Sequence, residues 1–376
     1  MTMDLEQTWR WFHQHAELSF KEYETTKEIR RILSSINGVA LLDLGLPTGV
    51  LAQIRGDQEG PVILLRADID ALPIREQTAL GCPSLTEGTM HACGHDWHIV
   101  NLLQTAWLLS RKRKEIHGTI LLLFQPAEES GGGAKRVVGT GLFTKYPVKR
   151  VFGLHIQPQL EAGTIAVCDG AISAAVDRFS ITIHGTGCHG AHPEDGLDPI
   201  PAACQLAVSL ENIVARRIKA SDQAVVSVTH LEAGTSWNII PDTAVLEGTN
   251  RTFKPEVRSL IKRCFEEKCQ ALEAEGYQVE LDLKWGTPAT DNDPVLTDLV
   301  RDEAHAEGLK VAELAGGEMS GEDFSFYQQL VPGSFFHVGV GGSYPLHSPH
   351  LEIDRNCLEQ SARLLAQVAI RAGSGD

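Results

Sequence analysis

The stretch MHACGHDWH, residues 90 to 98, places His91, Cys93, His95, Asp96 and His98 within one short segment. Thiolate, imidazole and carboxylate together suit borderline divalent ions such as Zn²⁺, Mn²⁺, Co²⁺ or Ni²⁺. Cys93 and His95, two apart in a loop, can face one ion or an adjacent pair. His98 falls on the helix that follows, where supporting a ligand is at least as good a reading as being one. Such a segment does not close a coordination shell by itself, so other donors must come from elsewhere in the chain.

Asp68 and Asp70, Glu128 and Glu129, His155 and His347 are the candidates. Taken singly, each has a plain explanation. Paired acids near a helix start are favoured by the helix dipole. A lone histidine is more often a hydrogen-bonded core residue, and a lone cysteine an inert buried thiol. Position argues against so many coincidences: PVILL precedes the two aspartates, TILLLF the two glutamates, RVFGL His155, and SFFHVGVGG leads to His347 in PLHSP.

Those apolar runs are continuous rather than alternating, as expected of strands covered on both faces in an α/β sheet. The helical apolar spacing of residues 99 to 115 separates two of them, and GGGAKRVVGTGLF reads as a loop entering another helix. In open α/β sheets, ligands gather beyond the carboxyl ends of the strands. Side chains distant in sequence can therefore converge there.

From about Asp177 the pattern changes. RFSITIHG alternates, PIPAACQLAVSLENIVARRI is helical, AVVSVTHLEAG and TAVLEGTNRTF read as strands, KPEVRSLIKRCFEEKCQALEAEG as a helix and YQVELDLKW as a strand. This β-α-β-β-α-β order is that of a ferredoxin-like unit. The expected organisation is an α/β catalytic domain with a mainly parallel sheet covered by helices, residues 1–176 and 286–376, interrupted by an α+β domain at 177–285.

The formal net charge of −16 would repel phosphate backbones, and the short basic run RKRKE at 111–115 reads as a solvated helix end, so nucleic acid is not an expected partner. No window reaches the roughly 18 apolar residues of a membrane span. The first residues, MTMDLEQTWRWFHQHAELSF, show no basic stretch leading into an apolar run, and the cysteines are scattered without a CxxC pair. A cytoplasmic protein with reduced thiols is the expectation.

Two glycine-rich strings do not carry nucleotide chemistry. GTGCHG after His184 has the GxGxxG form, but Pro193 and Pro199 follow before a helix can open. SGGGAK lacks P-loop spacing, and the HxE with PCxxC pairing of zinc deaminases is missing.

In collinear order, LRADIDALPI, MHACGHDWH, FQPAEES, GLHI, GTGCHGAHPEDGLDPI, AGTSWNIIPD, GTNRTF, SGEDFSFY and PLHSP span nearly the whole chain. Together they closely resemble the amidohydrolase branch of the binuclear metallopeptidases, which includes N-acyl-amino-acid amidohydrolases, hippurate hydrolases and plant auxin-conjugate hydrolases. The resemblance implies two divalent ions per subunit, Zn²⁺ or Mn²⁺ foremost with Co²⁺ or Ni²⁺ as alternatives, held by Cys93, His95, Glu129, His155 and His347. It implies Glu128 as general base and Asp70 as an acid orienting a ligand. The domain at 177–285 becomes a lid and dimer contact, so a homodimer is expected. His189 matches the lid histidine that stabilises the oxyanion of a neighbouring site, and Asn238 and Arg251 match positions that hold the substrate's carboxylate.

The implied substrate is an N-acyl amino acid. Alternatives are a dipeptidase or carboxypeptidase using the same site, or a metal-bound peptide-binding protein without turnover. Departures from the family pattern fall at Cys188, Asn250 and Gln104, away from the proposed ligands. The ADID string also lacks the histidine of the wider group's HxD motif, whose work the resemblance gives to Cys93.

Overall fold

The structure is a computed structural model and describes residues 3–374. The chain divides into two compact units: one holds the residues up to Ile172, Thr290–Gly316 and those from Glu322 onward, the other Ser173–Ala289 and Gly317–Gly321.

The first unit is built on an eight-stranded sheet. Across it run Val39–Leu42, Val50–Arg55, His117–Gln125, Gln58–Asp68, Val148–Gln157, Gly333–Gly339, Thr164–Val167 and Lys310–Glu313. The four strands from His117–Gln125 to Gly333–Gly339 are mutually parallel, and antiparallel pairs adjoin them on either side. Leu64, Leu65, Leu121, Leu122, Val151 and Phe152 are buried in these central strands, which is why their sequences read as unbroken apolar runs. Ile63 and Leu65 pack with one core cluster and Leu64 with another, so successive residues serve opposite faces of the sheet.

The helix after the metal-type motif is His95–Arg111, beginning four residues earlier than the apolar spacing from residue 99 suggested. Its start is fixed by Gly94, whose φ of 77° is left-handed and where an added Cβ would lie 2.1 Å from Ile156 Cδ1. Glycine permits both the turn and the close approach. His95 is thus the first helical residue rather than part of the loop that carries Cys93. His155 lies inside its strand, Val148–Gln157, rather than beyond its end.

The second unit has a four-stranded antiparallel sheet in the order Ala224–Ala233, Thr243–Thr252, Ala175–His184, Gln278–Trp285. Helices Pro199–Arg217 and Pro255–Ala274 pack Leu206, Leu210, Ile261 and Phe265 with Phe179, Ile181 and Ile183 of the central strand. The β-α-β-β-α-β order and this strand arrangement are ferredoxin-like. This unit extends a few residues beyond 177–285 and takes in Gly317–Gly321, because Ala174 N–H donates to Glu318 O and Ser320 O.

Candidate metal centre

All of the donors inferred for metal lie in the first unit, and its parallel strands gather them. Cys93 Sγ lies 3.4 Å from His155 Nε2, His95 Nε2 lies 3.8 Å from Glu129 Oε1, and His347 Nε2 lies 3.4 Å from the same Glu129 oxygen. Ligand atoms of Cys93, His95 and Glu129 lie within 4.8 Å of one another, as do those of Asp68, His95, His98 and His155. Cys93 and His95 are buried, whereas the His347 side chain is about half exposed.

The histidine tautomers fit a cation. His95 Nδ1 donates to the Asp70 main-chain oxygen at 2.9 Å, with Asp70 Oδ1 at 3.3 Å. His155 Nδ1 donates to Ile156 O at 2.8 Å. In the neutral form of both rings these acceptors fix the proton on Nδ1, so Nε2 is the atom left to ligate. His95 Nε2 and Glu129 Oε1 are buried, and neither has a hydrogen-bond partner among the described residues. A fold that buries two such atoms face to face incurs a cost that a shared cation removes.

The electrostatics agree. Burial drives the Glu128 carboxyl well above the usual carboxylate range, and Glu322, Asp323 and Glu129 add to the effect. Burial likewise raises the Cys93 thiol, with Glu129 and Glu128 adding to it while His95 opposes. Burial disfavours charge on His95, but Asp68 and Cys93 more than offset it and push the ring well above its ordinary value. Anionic donors this crowded favour a cation among them.

Asp70 organises the neighbouring turn. Its Oδ1 accepts from Glu128 N–H and its Oδ2 from Glu129 N–H, each at 3.1 Å, and Ser19 Oγ donates to Oδ2 at 2.7 Å. One carboxylate therefore sets the backbone of two successive glutamates and, through His95 Nδ1, the tautomer of a donor.

His98 has both ring nitrogens engaged. Nδ1 donates to Asp68 Oδ1 at 2.5 Å and Nε2 accepts from Ile156 N–H at 3.0 Å. Burial pushes its pKa down to about 4, and the neutral ring ties the helix to the strand that carries His155. His91 is buried with neither ring nitrogen hydrogen-bonded among the described residues, and burial takes it too down to about 4.

Sequence reasoning assigned no role to Arg66. Its guanidinium is fully buried and donates to Asp68 Oδ2 at 2.7 Å, Glu322 Oε1 at 3.0 Å, Asp323 Oδ1 at 2.9 Å and Gln125 Oε1 at 2.9 Å. It neutralises acids that border Glu128, whose carboxylate groups with those of Glu322 and Asp323. A single arginine in an otherwise buried strand was the available signal, since such a charge is kept only when paired.

His189, Asn238 and Arg251 lie in the second unit. The two-residue strands Cys188–His189 and Ile239–Ile240 pair, and Gly190 N–H donates to Asn238 O at 2.8 Å, so His189 and Asn238 are neighbours. His189 is exposed. Its Nδ1 accepts from Ala191 N–H at 3.1 Å, which in the neutral ring puts the proton on Nε2. Arg251 donates to Met319 O at 3.1 Å, to Asn250 O at 3.0 Å and to Thr249 Oγ1, all neutral partners.

Comparison with known proteins places this geometry in context. The family model described as Peptidase family M20/M25/M40 matches residues 64–371. The chain is 42% identical over 361 residues to an N-acetylcysteine deacetylase of Bacillus subtilis, covering 95% of this chain and 94% of that protein. It is 37% identical over 372 residues to thermostable carboxypeptidase 1 of Saccharolobus solfataricus, covering 96% and 93%. The crystal structure of Bacillus subtilis YXEP, described as a dinuclear metal binding peptidase, superposes with a TM-score of 0.89 at 40% identity, covering 98% of this chain and 97% of that one.

Proposed function

Because the chain belongs to peptidase family M20/M25/M40, as a metal-dependent hydrolase of amide bonds, we propose that it cleaves N-acyl amino acids to a carboxylic acid and a free amino acid. Cys93, His95, Glu129, His155 and His347 would hold a pair of divalent ions, Zn²⁺ or Mn²⁺ foremost. The observation that carries this reading is the facing pair of buried atoms that make no hydrogen bond among the described residues, His95 Nε2 and Glu129 Oε1, with His347 Nε2 3.4 Å from the same carboxylate oxygen. Two ions held there would acidify a water and polarise the scissile carbonyl.

Glu128 takes the proton of the attacking water and returns it to the departing amine. Its burial and the adjacent Glu322 and Asp323 raise its proton affinity, which suits return of the proton to the amine, while the positive charge of the bound ions would keep it ionised for the first transfer. Asp70 holds the Glu128 backbone so that this side chain stays in register with Glu129. His189 donates through Nε2–H to the oxyanion of the reacting amide. Arg251, whose hydrogen-bond partners are all neutral, would hold the substrate's carboxylate, and Asn238 adds an amide donor.

The second unit is proposed as the lid and the contact of a homodimer. Supporting this, strand Ala224–Ala233 pairs on one side only, and Leu231, Trp237 and Ile239 are exposed at 42%, 95% and 58%. His189 then acts in a partner's site. No helix among the described residues is long and apolar enough to cross a membrane, and a cytoplasmic location is part of the proposal.

A panel of N-acetyl and N-benzoyl amino acids against dipeptides, run on metal-stripped protein reconstituted with single ions, tests the reading. Preferred turnover of acyl amino acids supports it. Preference for dipeptides moves the assignment to a dipeptidase or to a carboxypeptidase, the latter being the name carried by the Saccharolobus solfataricus relative. No turnover with any ion would favour a binding protein. Mixing Glu128→Gln and His189→Ala subunits restores partial activity if His189 acts across the dimer, and none if it acts within its own chain.

A further inference from the structure

We propose that Glu22 is a positioning residue for the Glu128–Glu129 turn: its buried carboxylate holds the left-handed backbone at Ala127 and so aims both side chains. The inference rests on the reading of Glu128 as base and Glu129 as ligand given above.

Glu22 immediately precedes helix Tyr23–Ser34, where an acid is ordinarily explained by the exposed amides of the first turn. The structure gives it other partners. Its side chain makes no capping bond to its own helix, and the residue is 0% exposed. Oε1 accepts from Phe20 N–H at 2.9 Å and from Ala127 N–H at 2.8 Å.

Both of those residues have positive φ, 63° at Phe20 and 59° at Ala127, and the other non-glycine residue of this kind among those described is the candidate ligand His347 at 65°. Residues with a Cβ avoid this region, so they remain in it only where their surroundings hold them. A single carboxylate oxygen therefore pins two strained peptides at once.

The register of the turn explains why this matters. Glu22 holds Ala127 N–H, and Asp70 holds the next two amides, Glu128 N–H and Glu129 N–H. Three consecutive backbone donors are gripped by two buried carboxylates. The segment around Glu22 also braces Asp70, because Ser19 Oγ donates to Asp70 Oδ2 and Ala71 N–H donates to Glu17 O at 2.8 Å. Without the acceptor at Glu22, Ala127 relaxes toward negative φ and swings the two glutamates that follow it.

The test uses the full chain, metal-stripped and reconstituted with Mn²⁺. Glu22→Leu is expected to lower kcat by about 10–100-fold, with KM little changed, the scale seen when a group orienting a reacting side chain is lost. Mn²⁺ binding to the metal-free protein, followed by calorimetry, should weaken by about tenfold or more, since Glu129 is displaced as well. Glu22→Gln retains an acceptor oxygen and should restore most of both. Ala127→Gly added to Glu22→Leu should recover part of kcat, because glycine adopts the left-handed backbone unaided.

Unchanged kcat and Mn²⁺ affinity in Glu22→Leu would overturn the proposal, as would a Glu22→Gln variant as impaired as the leucine one. If the leucine variant does not fold, Glu22→Asp replaces it: too short to reach Ala127, it should be impaired while Glu22→Gln is not, and the reverse order refutes the inference. Glu128→Gln separates the two levels. Retained turnover in that variant would mean that the reading of the site has failed. Lost turnover there, with Glu22→Leu unaffected, would mean that only the positioning role has.

Discussion

Replacing Arg66 by leucine removes the guanidinium buried among Asp68, Glu322 and Asp323. Asp68 keeps His98 and His95 as partners, so the loss falls mainly on Glu322 and Asp323. Even beside Arg66, burial and Glu322 hold the Asp323 carboxyl up at about 7. Stranding buried acids by removing their partner costs about 3–5 kcal/mol. The sign with pH follows from linkage. In the variant these acids have folded pKa values above their unfolded ones, so the penalty grows as pH rises and shrinks as they protonate. Urea melts of metal-free Arg66→Leu and unaltered protein at pH 6 and pH 8, read by far-UV circular dichroism, should show a larger gap at the higher pH. A gap below about 1 kcal/mol at pH 8, or one that shrinks as pH rises, would refute the assignment of Arg66 as the counter-charge of this cluster.

Glu128→Gln should retain bound metal by elemental analysis while losing about 10²–10⁴-fold in kcat, as expected of a general base; near-normal turnover would remove Glu128 from that role. Cys93→Ala should lower metal content, and full occupancy would show that the thiolate is not a ligand. His13, outside the proposed ligand set, offers a pH test of stability: burial disfavours its charge, but Asp96 at 2.7 Å and Glu76 at 3.2 Å lift its pKa to about 9. A raised histidine stabilises fully below its unfolded value near 6.5 and loses that contribution as pH climbs through about 9. Relative to His13→Gln, the unaltered protein should therefore lose on the order of 3 kcal/mol between pH 6.5 and pH 9.5. Parallel pH profiles for the two proteins would contradict the ion-pair reading.

Much of the fold was legible because the physics was local. Strands buried on both faces must be apolar throughout, so PVILL, TILLLF and RVFGL announced the parallel sheet, and alternation in RFSITIHG announced a strand with one buried face. The motif strings named the family correctly, and with it the class of chemistry. What escaped depended on partners that sequence spacing does not reveal. Arg66 meets Glu322 across 256 positions, and Glu22 meets Ala127 across 105. The start of the helix at His95 was missed for a similar reason: what sets it is the approach of Ile156 to Gly94, a tertiary contact rather than a local propensity. The engagement of both His98 nitrogens likewise becomes visible only when strand Val148–Gln157 is in place beside it.

The central claim is that Cys93, His95, Glu129, His155 and His347 hold two cations beside a carboxylate, Glu128, that binds neither. Anomalous diffraction at the manganese edge, from crystals grown with excess Mn²⁺, tests it most directly. The account predicts two peaks about 3.5–4 Å apart, flanked by Cys93 Sγ, the Nε2 atoms of His95, His155 and His347, and the Glu129 carboxylate, with Glu128 nearby but unligated. No peak in that pocket, or peaks held by other residues, would contradict it.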